Sequence, residues 1–216
     1  MPKSKKYILS VVFLFVFSAA YNQQDPQFSQ IIFNPMSINP GYAGSLNMIG
    51  FGAINKIQWA GFGDGAPLST AVSINSPIAP FGFKSGIGLS ILNDKYGFNS
   101  DLGISFSYAA RFKFKVVDGS LGIGITGGMV NNSLDPTWTY PDGTSDEVIP
   151  QSKESSINLD LGFGLYYNTD YMFFGLSATH LNESKINKSA SPARYSRQYY
   201  VTGGYILNLN QAWQFE

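Results

Sequence analysis

Apolar and polar residues alternate along most of the chain after Asn47, with the period of two that is typical of β-strands. The clearest stretch runs from Leu102 to Phe114, with Leu, Ile, Phe, Tyr and Ala at even positions and Gly, Ser, Ala, Arg and Lys at odd positions. Because successive side chains of a strand point to opposite faces, this stretch predicts one long strand with one apolar face. Similar stretches are Met48–Ala60, Leu68–Ile74, Ile87–Ile91, Leu121–Met129, Ile157–Tyr167, Tyr171–Leu181, Tyr199–Leu209 and one that starts at Ala212.

Strands with one apolar face and one face of glycine, serine or charge fit a barrel that crosses a membrane, whose strands need about 9–11 residues. The connections favour the same fold, because from the third link onward longer and shorter links alternate, as at the two ends of such a barrel. A soluble β-sandwich is the alternative, but it gives no reason for sorting its links by end. The sequence therefore predicts an all-β fold, an antiparallel transmembrane β-barrel of outer-membrane type that is incomplete at Glu216, with about eight or nine strands visible.

The N-terminus has a different composition from the alternating region. Lys3, Lys5 and Lys6 form a basic stub, which precedes an apolar run and the small residues that end at Ala20. This is typical of a signal peptide cleaved after Ala20, and the run is shorter than the about 20 residues of a transmembrane helix. We therefore predict three regions: a signal peptide at 1–20, an irregular segment at 21–46 and the barrel at 47–216, truncated at its C-terminal end.

The segment 21–46, called the strap from here on, is polar and contains two Asn-Pro pairs, Asn34-Pro35 and Asn39-Pro40. A residue before proline prefers extended backbone, so the strap is predicted to be irregular rather than helical. Its aromatic residues Phe28, Phe33 and Tyr42 are predicted anchors. We expect the strap to lie on the periplasmic side of the barrel or to enter its lumen.

Charge and cysteine content exclude several functions. The 14 basic residues less Lys3, Lys5 and Lys6 leave 11 against 14 acidic residues, a net charge of −3, and no basic stripe is present, which excludes a nucleic-acid binder. The chain has no cysteine, which excludes an acylated lipoprotein, a disulfide framework and a thiolate metal site. No metal-binding, phosphate-binding or paired catalytic carboxylate motif is found, so no cofactor is predicted.

Two features with possible catalytic chemistry do not predict an enzyme. The pattern G-x-G-x-x-G occurs at Gly122–Gly127, but no helix follows it, so these glycines are interpreted as small residues on the lumen face of a strand. His180 shares the parity of Met172 and Leu176 and is therefore predicted to face lipid near the rim of the barrel. A lipase with a serine such as Ser177 would need a base and an orienting group within hydrogen-bond reach, which no spacing in the sequence indicates.

Charged residues are predicted on the lumen face at Arg111, Lys113 and Asp160. They would either tune a pore or form an internal cluster that rigidifies a closed barrel, and the second interpretation is favoured because polar lumens are common in such barrels. The predicted loop at 135–143 carries Trp138 and Tyr140 between turn residues. These aromatic residues would serve either as interface anchors or as the core of a loop packed on itself.

The strap resembles the PorP/SprF family of outer-membrane proteins associated with type IX secretion and gliding. The resemblance rests on the segments 25–30, 33–35, 38–40 and 42–45, which read DPQFSQ, FNP, INP and YAGS, with weaker similarity at Gly86–Gly88 and Gly164–Tyr167. It implies a Gram-negative outer-membrane barrel that acts, without catalysis, as an accessory or docking component of this machinery. Expected partners are outer-membrane lipid, type IX secretion components on the periplasmic side and a secreted surface adhesin.

Candidate partner-binding residues lie in the strap and in the predicted loop. They are Asp25, Pro26, Phe28, Gln30, Phe33, Asn34, Pro35, Asn39, Pro40, Tyr42, Trp138 and Tyr140. The alternative function is an outer-membrane channel for small or hydrophobic molecules, lined by Arg111, Lys113 and Asp160.

Overall fold

One antiparallel sheet of eight strands, curled into a half-barrel, makes up most of the computed structural model. The structure describes residues 26, 28–63, 65–114, 118–137, 152–188 and 191–206. The strands are β1 Gly50–Ile57, β2 Leu68–Ile78, β3 Ser85–Tyr96, β4 Asn99–Phe114, β5 Gly119–Leu134, β6 Glu154–Asn168, β7 Met172–Thr179, β8 Lys185–Lys188, β9 Ser191–Arg194 and β10 Gln198–Tyr205. Three-residue 3₁₀ turns lie at Ile31–Phe33, Pro35–Ser37, Pro40–Tyr42 and Pro80–Gly82.

Consecutive strands are neighbours from β1 to β7, and β10 pairs with β7. The predicted division of faces is confirmed: on β4, Leu102, Ile104 and Phe106 are exposed on the convex face, whereas Ser107 and Arg111 are buried on the concave face. The same division holds on β5, where Ile125 and Met129 are exposed. An apolar convex face and a small or polar concave face characterise a membrane barrel.

The links between strands lie at the two ends of the sheet, which are called the turn end and the loop end from here on. At the turn end, β2–β3, β4–β5 and β6–β7 are joined by residues 79–84, 115–118 and 169–171. At the loop end, β1–β2, β5–β6 and β7–β10 are joined by 58–67, 135–153 and 180–197. The third link is shorter than predicted, because β3 and β4 stay paired as far as Tyr96 and Asn99 and leave only a turn at Gly97 and Phe98.

Aromatic side chains lie near both ends of the convex face. Phe112, Phe114, Tyr171 and Tyr205 are exposed at the turn end, where the rings of Tyr171 and Tyr205 are 6.1 Å apart. Trp59, Phe62 and Tyr199 are exposed at the loop end. Belts of this kind flank the apolar band of outer-membrane barrels.

One predicted loop differs from the structure, and three predicted elements lie wholly or mostly outside the described residues. The link between the predicted strands Tyr171–Leu181 and Tyr199–Leu209 contains the hairpin of β8 and β9, which forms a separate two-stranded sheet. The predicted signal peptide, the strand starting at Ala212 and most of the loop at 135–143 lie outside the described residues. No helix in the described part of the chain is long and apolar enough to cross a membrane.

Candidate functional site

The described part of the strap lies on the concave face and forms three short 3₁₀ turns. Pro35 and Pro40 each begin one of these turns, a position where the missing proline N–H leaves no donor unpaired. The side-chain oxygen of Asn39 accepts a hydrogen bond of 2.9 Å from the N–H of Gly41. The Asn-Pro pairs therefore fix the local turns. Their asparagine side chains also contact the concave face of the sheet, which is called the wall from here on.

The first Asn-Pro pair contacts β2 and β3. Asn34 is 2% exposed, and its side-chain oxygen accepts a hydrogen bond of 2.5 Å from the hydroxyl of Ser73 on β2. Met36 is buried against Gly88 of β3, where a β-carbon would overlap the methionine side chain. This part of the strap is therefore held on the β1 side of the half-barrel.

The second Asn-Pro pair contacts the opposite side of the half-barrel. The side-chain amide of Asn39 donates to the main-chain carbonyl of Leu165 on β6 at 3.0 Å and to that of Leu176 on β7 at 3.4 Å. The two carbonyls belong to different strands, so the side-chain amide of Asn39 bridges β6 and β7. The chain then returns toward β2, where the N–H of Gly44 donates to the side-chain oxygen of Asn75 at 3.3 Å.

Glycines on the concave face allow the strap backbone to approach the wall. A β-carbon on Gly122 would overlap the carbonyl oxygen of Gly41, and one on Gly124 would overlap Pro40 and Gly41. A β-carbon on Gly86 would likewise overlap the carbonyl of Ala43. Because glycine is the only residue without a β-carbon, no other residue fits at these wall positions without displacing the strap.

Arg111 on β4 binds the strap from the wall. One of its terminal nitrogens donates to the carbonyls of Gly41 at 3.4 Å and Ala43 at 3.3 Å, and the other donates to Ser120 at 3.2 Å and Asn168 at 2.7 Å. The side chain is 8% exposed. Its neutral acceptors satisfy four of its hydrogen bonds, so a buried cation is stabilised here by carbonyl, hydroxyl and amide oxygens.

Tyr42 completes the contact between strap and wall. Its ring meets that of Tyr166 on β6 edge to face, with centroids 5.1 Å apart. Burial raises the pKa of Tyr42 and outweighs the lowering effect of the nearby Arg111 charge. The hydroxyl is therefore neutral across the physiological range. A cluster of buried apolar residues lies at this contact and consists of Met36, Ala43 and Ala109, with Tyr42 packed against it.

Part of the strap is exposed at the turn end. Ile32 is 60% exposed and Phe33 is 73% exposed, and Leu46 is also exposed. Ile32 and Leu46 line a cavity of about 220 Å³ together with Tyr42 and with residues near the β6–β7 turn, among them Tyr166, Met172 and Phe173. The turn end therefore presents apolar side chains and an apolar cavity beside the strap.

The loop-end half of the concave face is filled by polar side chains. His180 is buried, and its Nδ1 lies 2.8 Å from the carboxylate of Asp160. Its ring stacks on that of Tyr195, whose hydroxyl accepts a hydrogen bond from Asn132. The side chain of Asn182 pairs with the main chain of Leu159 and Leu161, at the part of β6 that extends past β7.

The prediction that His180 faces lipid is wrong. β7 ends at Thr179, and His180 has a φ of 54°, which breaks the alternation and turns the side chain toward Asp160.

The predicted partner-binding residues fall into three groups. Asn34, Asn39 and Pro40 are buried against the wall; Pro26, Phe28, Pro35 and Tyr42 are partly buried; Gln30 and Phe33 are exposed. Asp25, Trp138 and Tyr140 lie outside the described residues. Of the predicted lumen residues, Arg111 is buried, Asp160 is partly buried and Lys113 is exposed.

Sequence reasoning missed residues on both sides of the contact between the strap and the wall. They are Met36 and Ala43 in the strap and the glycines at 86, 88, 122, 124 and 164 in the wall. A signal was present, because these glycines all occupy the concave parity of their strands. The pattern indicates a close approach by some backbone without indicating which one.

Fold and strap together define an outer-membrane type β-barrel whose N-terminal segment is packed against its inner wall. The family model of the type IX secretion system membrane protein PorP/SprF matches residues 20–216. The chain therefore belongs to the PorP/SprF family and is a membrane component of the type IX secretion system. A comparison with curated proteins found no match, and a comparison with solved structures found none either.

Proposed function

We propose that this protein is a non-catalytic docking component of the type IX secretion system, placed in the outer membrane after export by its signal peptide. The observation that carries the proposal is the exposed apolar surface of Ile32 and Leu46 beside the cavity at the turn end, together with the adjacent, exposed Phe33. In outer-membrane barrels short turns face the periplasm, so this surface would face the periplasmic components of the machinery. The loops at the opposite end would then be free to hold a secreted adhesin.

The buried part of the strap supports a division of labour within it. Asn34, Asn39 and Pro40 contact the wall and hold the strap in place, so a partner cannot reach them while it is seated. Ile32 and Phe33 directly precede Asn34 and are exposed. Partner binding is therefore assigned to the exposed apolar residues, and the Asn-Pro pairs are assigned to positioning them.

A channel lined by Arg111, Lys113 and Asp160 has less support. Arg111 donates its hydrogen bonds to the strap and to neighbouring side chains, and Asp160 is paired with His180. Two of the three charged groups are thus occupied by contacts within the protein.

Removing the whole strap would not test docking cleanly, because Met36 and Ala43 of the strap are part of the buried core. The double variant Ile32→Ser/Phe33→Ser keeps the hydrogen bonds between residues 34–45 and the wall and removes exposed apolar surface. If these residues are the centre of the interface, each costs about 2 kcal/mol or more of binding free energy on truncation. We expect loss of co-purification with the periplasmic secretion components and reduced secretion.

The matched control is Ile57→Ser, which removes a similarly exposed apolar side chain at the loop end. It should leave co-purification unchanged. If Ile32→Ser/Phe33→Ser assembles in the outer membrane and still co-purifies at the wild-type level, the docking proposal is wrong.

A further inference from the structure

We infer that residues 34–45 of the strap are an internal plug that seals the barrel lumen on its periplasmic side, so that the assembled protein does not conduct ions. This inference concerns permeability and does not depend on docking. A protein that docks could conduct, and a protein that does not dock could be sealed.

The path of the strap across the wall is the first argument. It is bound to β2 through Asn34 and Ser73, crosses to β6 and β7 through Asn39, and returns to β2 through Gly44 and Asn75. The segment therefore crosses the concave face twice, between strands at opposite sides of the half-barrel. A solute moving along this wall would meet the strap backbone at the level of Gly124.

The fit between strap and wall is the second argument. At Gly86, Gly122, Gly124 and Gly164 there is no room for even a β-carbon between the strap and the strand behind it. A β-carbon would lie about 1.5 Å from its α-carbon, so strap atoms that overlap it touch the wall directly and leave no space for water. These are backbone atoms of the strap at Gly86, Gly122 and Gly124, and side-chain atoms of Asn39 and Pro40 at Gly164. The contact is therefore tight at four positions on β3, β5 and β6.

Arg111 provides the third argument, because it binds the part of the strap that returns toward β2. Its donors reach the carbonyls of Gly41 and Ala43 from β4, between the two crossings of the strap. A cation passing here would have to compete with the buried guanidinium of Arg111 for these carbonyl oxygens. Removal of this side chain should loosen the plug while leaving the docking surface of Ile32 and Phe33 unchanged.

The absence of cysteine in the chain permits a clean test. The variant Asn34→Cys/Ser73→Cys places two thiols where two side chains are in hydrogen-bond contact, and oxidation should tie the strap to β2. Phe33→Cys/Ser73→Cys is the control, because the Phe33 side chain is exposed and should not cross-link. Cross-linking is read from mobility on non-reducing gels of whole cells.

Conductance of the full-length protein in planar bilayers tests the seal. We expect wild type to be silent and Arg111→Ala to pass current. In the triple variant Asn34→Cys/Ser73→Cys/Arg111→Ala, oxidation should abolish the current and reduction should restore it. Steady current through wild type, a folded Arg111→Ala that stays silent, or failure of positions 34 and 73 to cross-link would each overturn the inference.

Discussion

Arg111 on β4 donates to the main-chain carbonyl of Ala43 at 3.3 Å, so a cation of the barrel wall is bonded directly to the backbone of the strap. The residues are far apart in sequence and meet on the concave face. Their contact makes the stability of the barrel depend on the position of its N-terminal segment against the concave face.

Replacing Arg111 by alanine should destabilise the protein. The carbonyls of Gly41 and Ala43 and the side chain of Asn168 would lose a donor, and each buried polar group left without a partner costs about 1–3 kcal/mol. Urea unfolding in detergent, followed by tryptophan fluorescence, measures the change. Lys113→Ala is the control, because Lys113 lies on the same strand and is exposed; a loss as large for Lys113→Ala would contradict the assignment.

Gly124→Ala should impair assembly far more than Gly103→Ala. Both glycines have the concave parity, but a β-carbon on Gly124 would overlap the strap, whereas one on Gly103 would make ordinary contact with Val130 at 3.7 Å. Overpacking of this kind costs about 1–3 kcal/mol, and displacement of the strap adds its lost contacts. Heat-modifiable mobility on gels gives the fraction of folded barrel. Equal folding of the two variants would mean that the strap does not occupy this wall.

Asn39→Asp should be strongly destabilising at neutral pH and mild in acid. The ionised carboxylate would face the carbonyls of Leu165 and Leu176, to which the amide of Asn39 now donates. Burial and these carbonyls would raise the pKa of the new carboxyl in the folded state above its unfolded value of about 3.9. The penalty is therefore absent below about pH 4 and grows as pH rises through the raised pKa. A stability difference from wild type that does not change with pH would contradict this geometry.

The free-energy cost of a lysine on the convex face should depend on how deep in the membrane it lies. Ile125 lies in the middle of β5, and Ile125→Lys should cost about 2–4 kcal/mol in a lipid bilayer. Ile157 lies toward the loop end of β6, and Ile157→Lys should cost about 0–1 kcal/mol. Folding into vesicles under a urea gradient measures both. Equal costs would mean that the convex face does not contact the hydrocarbon core of the membrane.

Asp160→Asn should loosen the β7–β10 link without disturbing the barrel. The change removes the carboxylate that pairs with His180 at 2.8 Å, which helps to hold the link against β6. Trypsin should then cut the 181–197 segment faster, at Lys185, Arg194 or Arg197. Asp135→Asn is the control, because the carboxylate of Asp135 is exposed and its pair with Lys153 contributes little. An unchanged cleavage rate in Asp160→Asn would rule out the anchoring role.

The strands could be predicted because their signal is local: the period of two on β4 assigns each side chain to a face without knowledge of any partner. The position of His180 could not, because a single positive φ after Thr179 reverses the parity on which the prediction relied. The turn at Gly97 and Phe98 was obscured by Asn93, Asp94 and Asp101, polar residues typical of loops that here extend the paired strands.

The contacts between the strap and the wall could not be predicted from the sequence, for a different reason. Asn34 and Asn39 precede proline, which predicts irregular backbone, and the structure places each of them directly before a short 3₁₀ turn. Their side chains, however, bind Ser73 and Leu165, and nothing in a single sequence pairs residues so distant along the chain. The glycines of the wall indicated a close approach, but their partner had to be seen in three dimensions.

The bridge from Asn39 to β6 and β7 also sets an order of events during folding. Its two carbonyl partners lie 126 and 137 residues later in the chain, so the segment that is synthesised early has no complete binding site until β7 has paired. Contacts over such separations form slowly, because the intervening chain must first be ordered. Seating of the strap would therefore be among the last steps of maturation and would report that the preceding strands are in register.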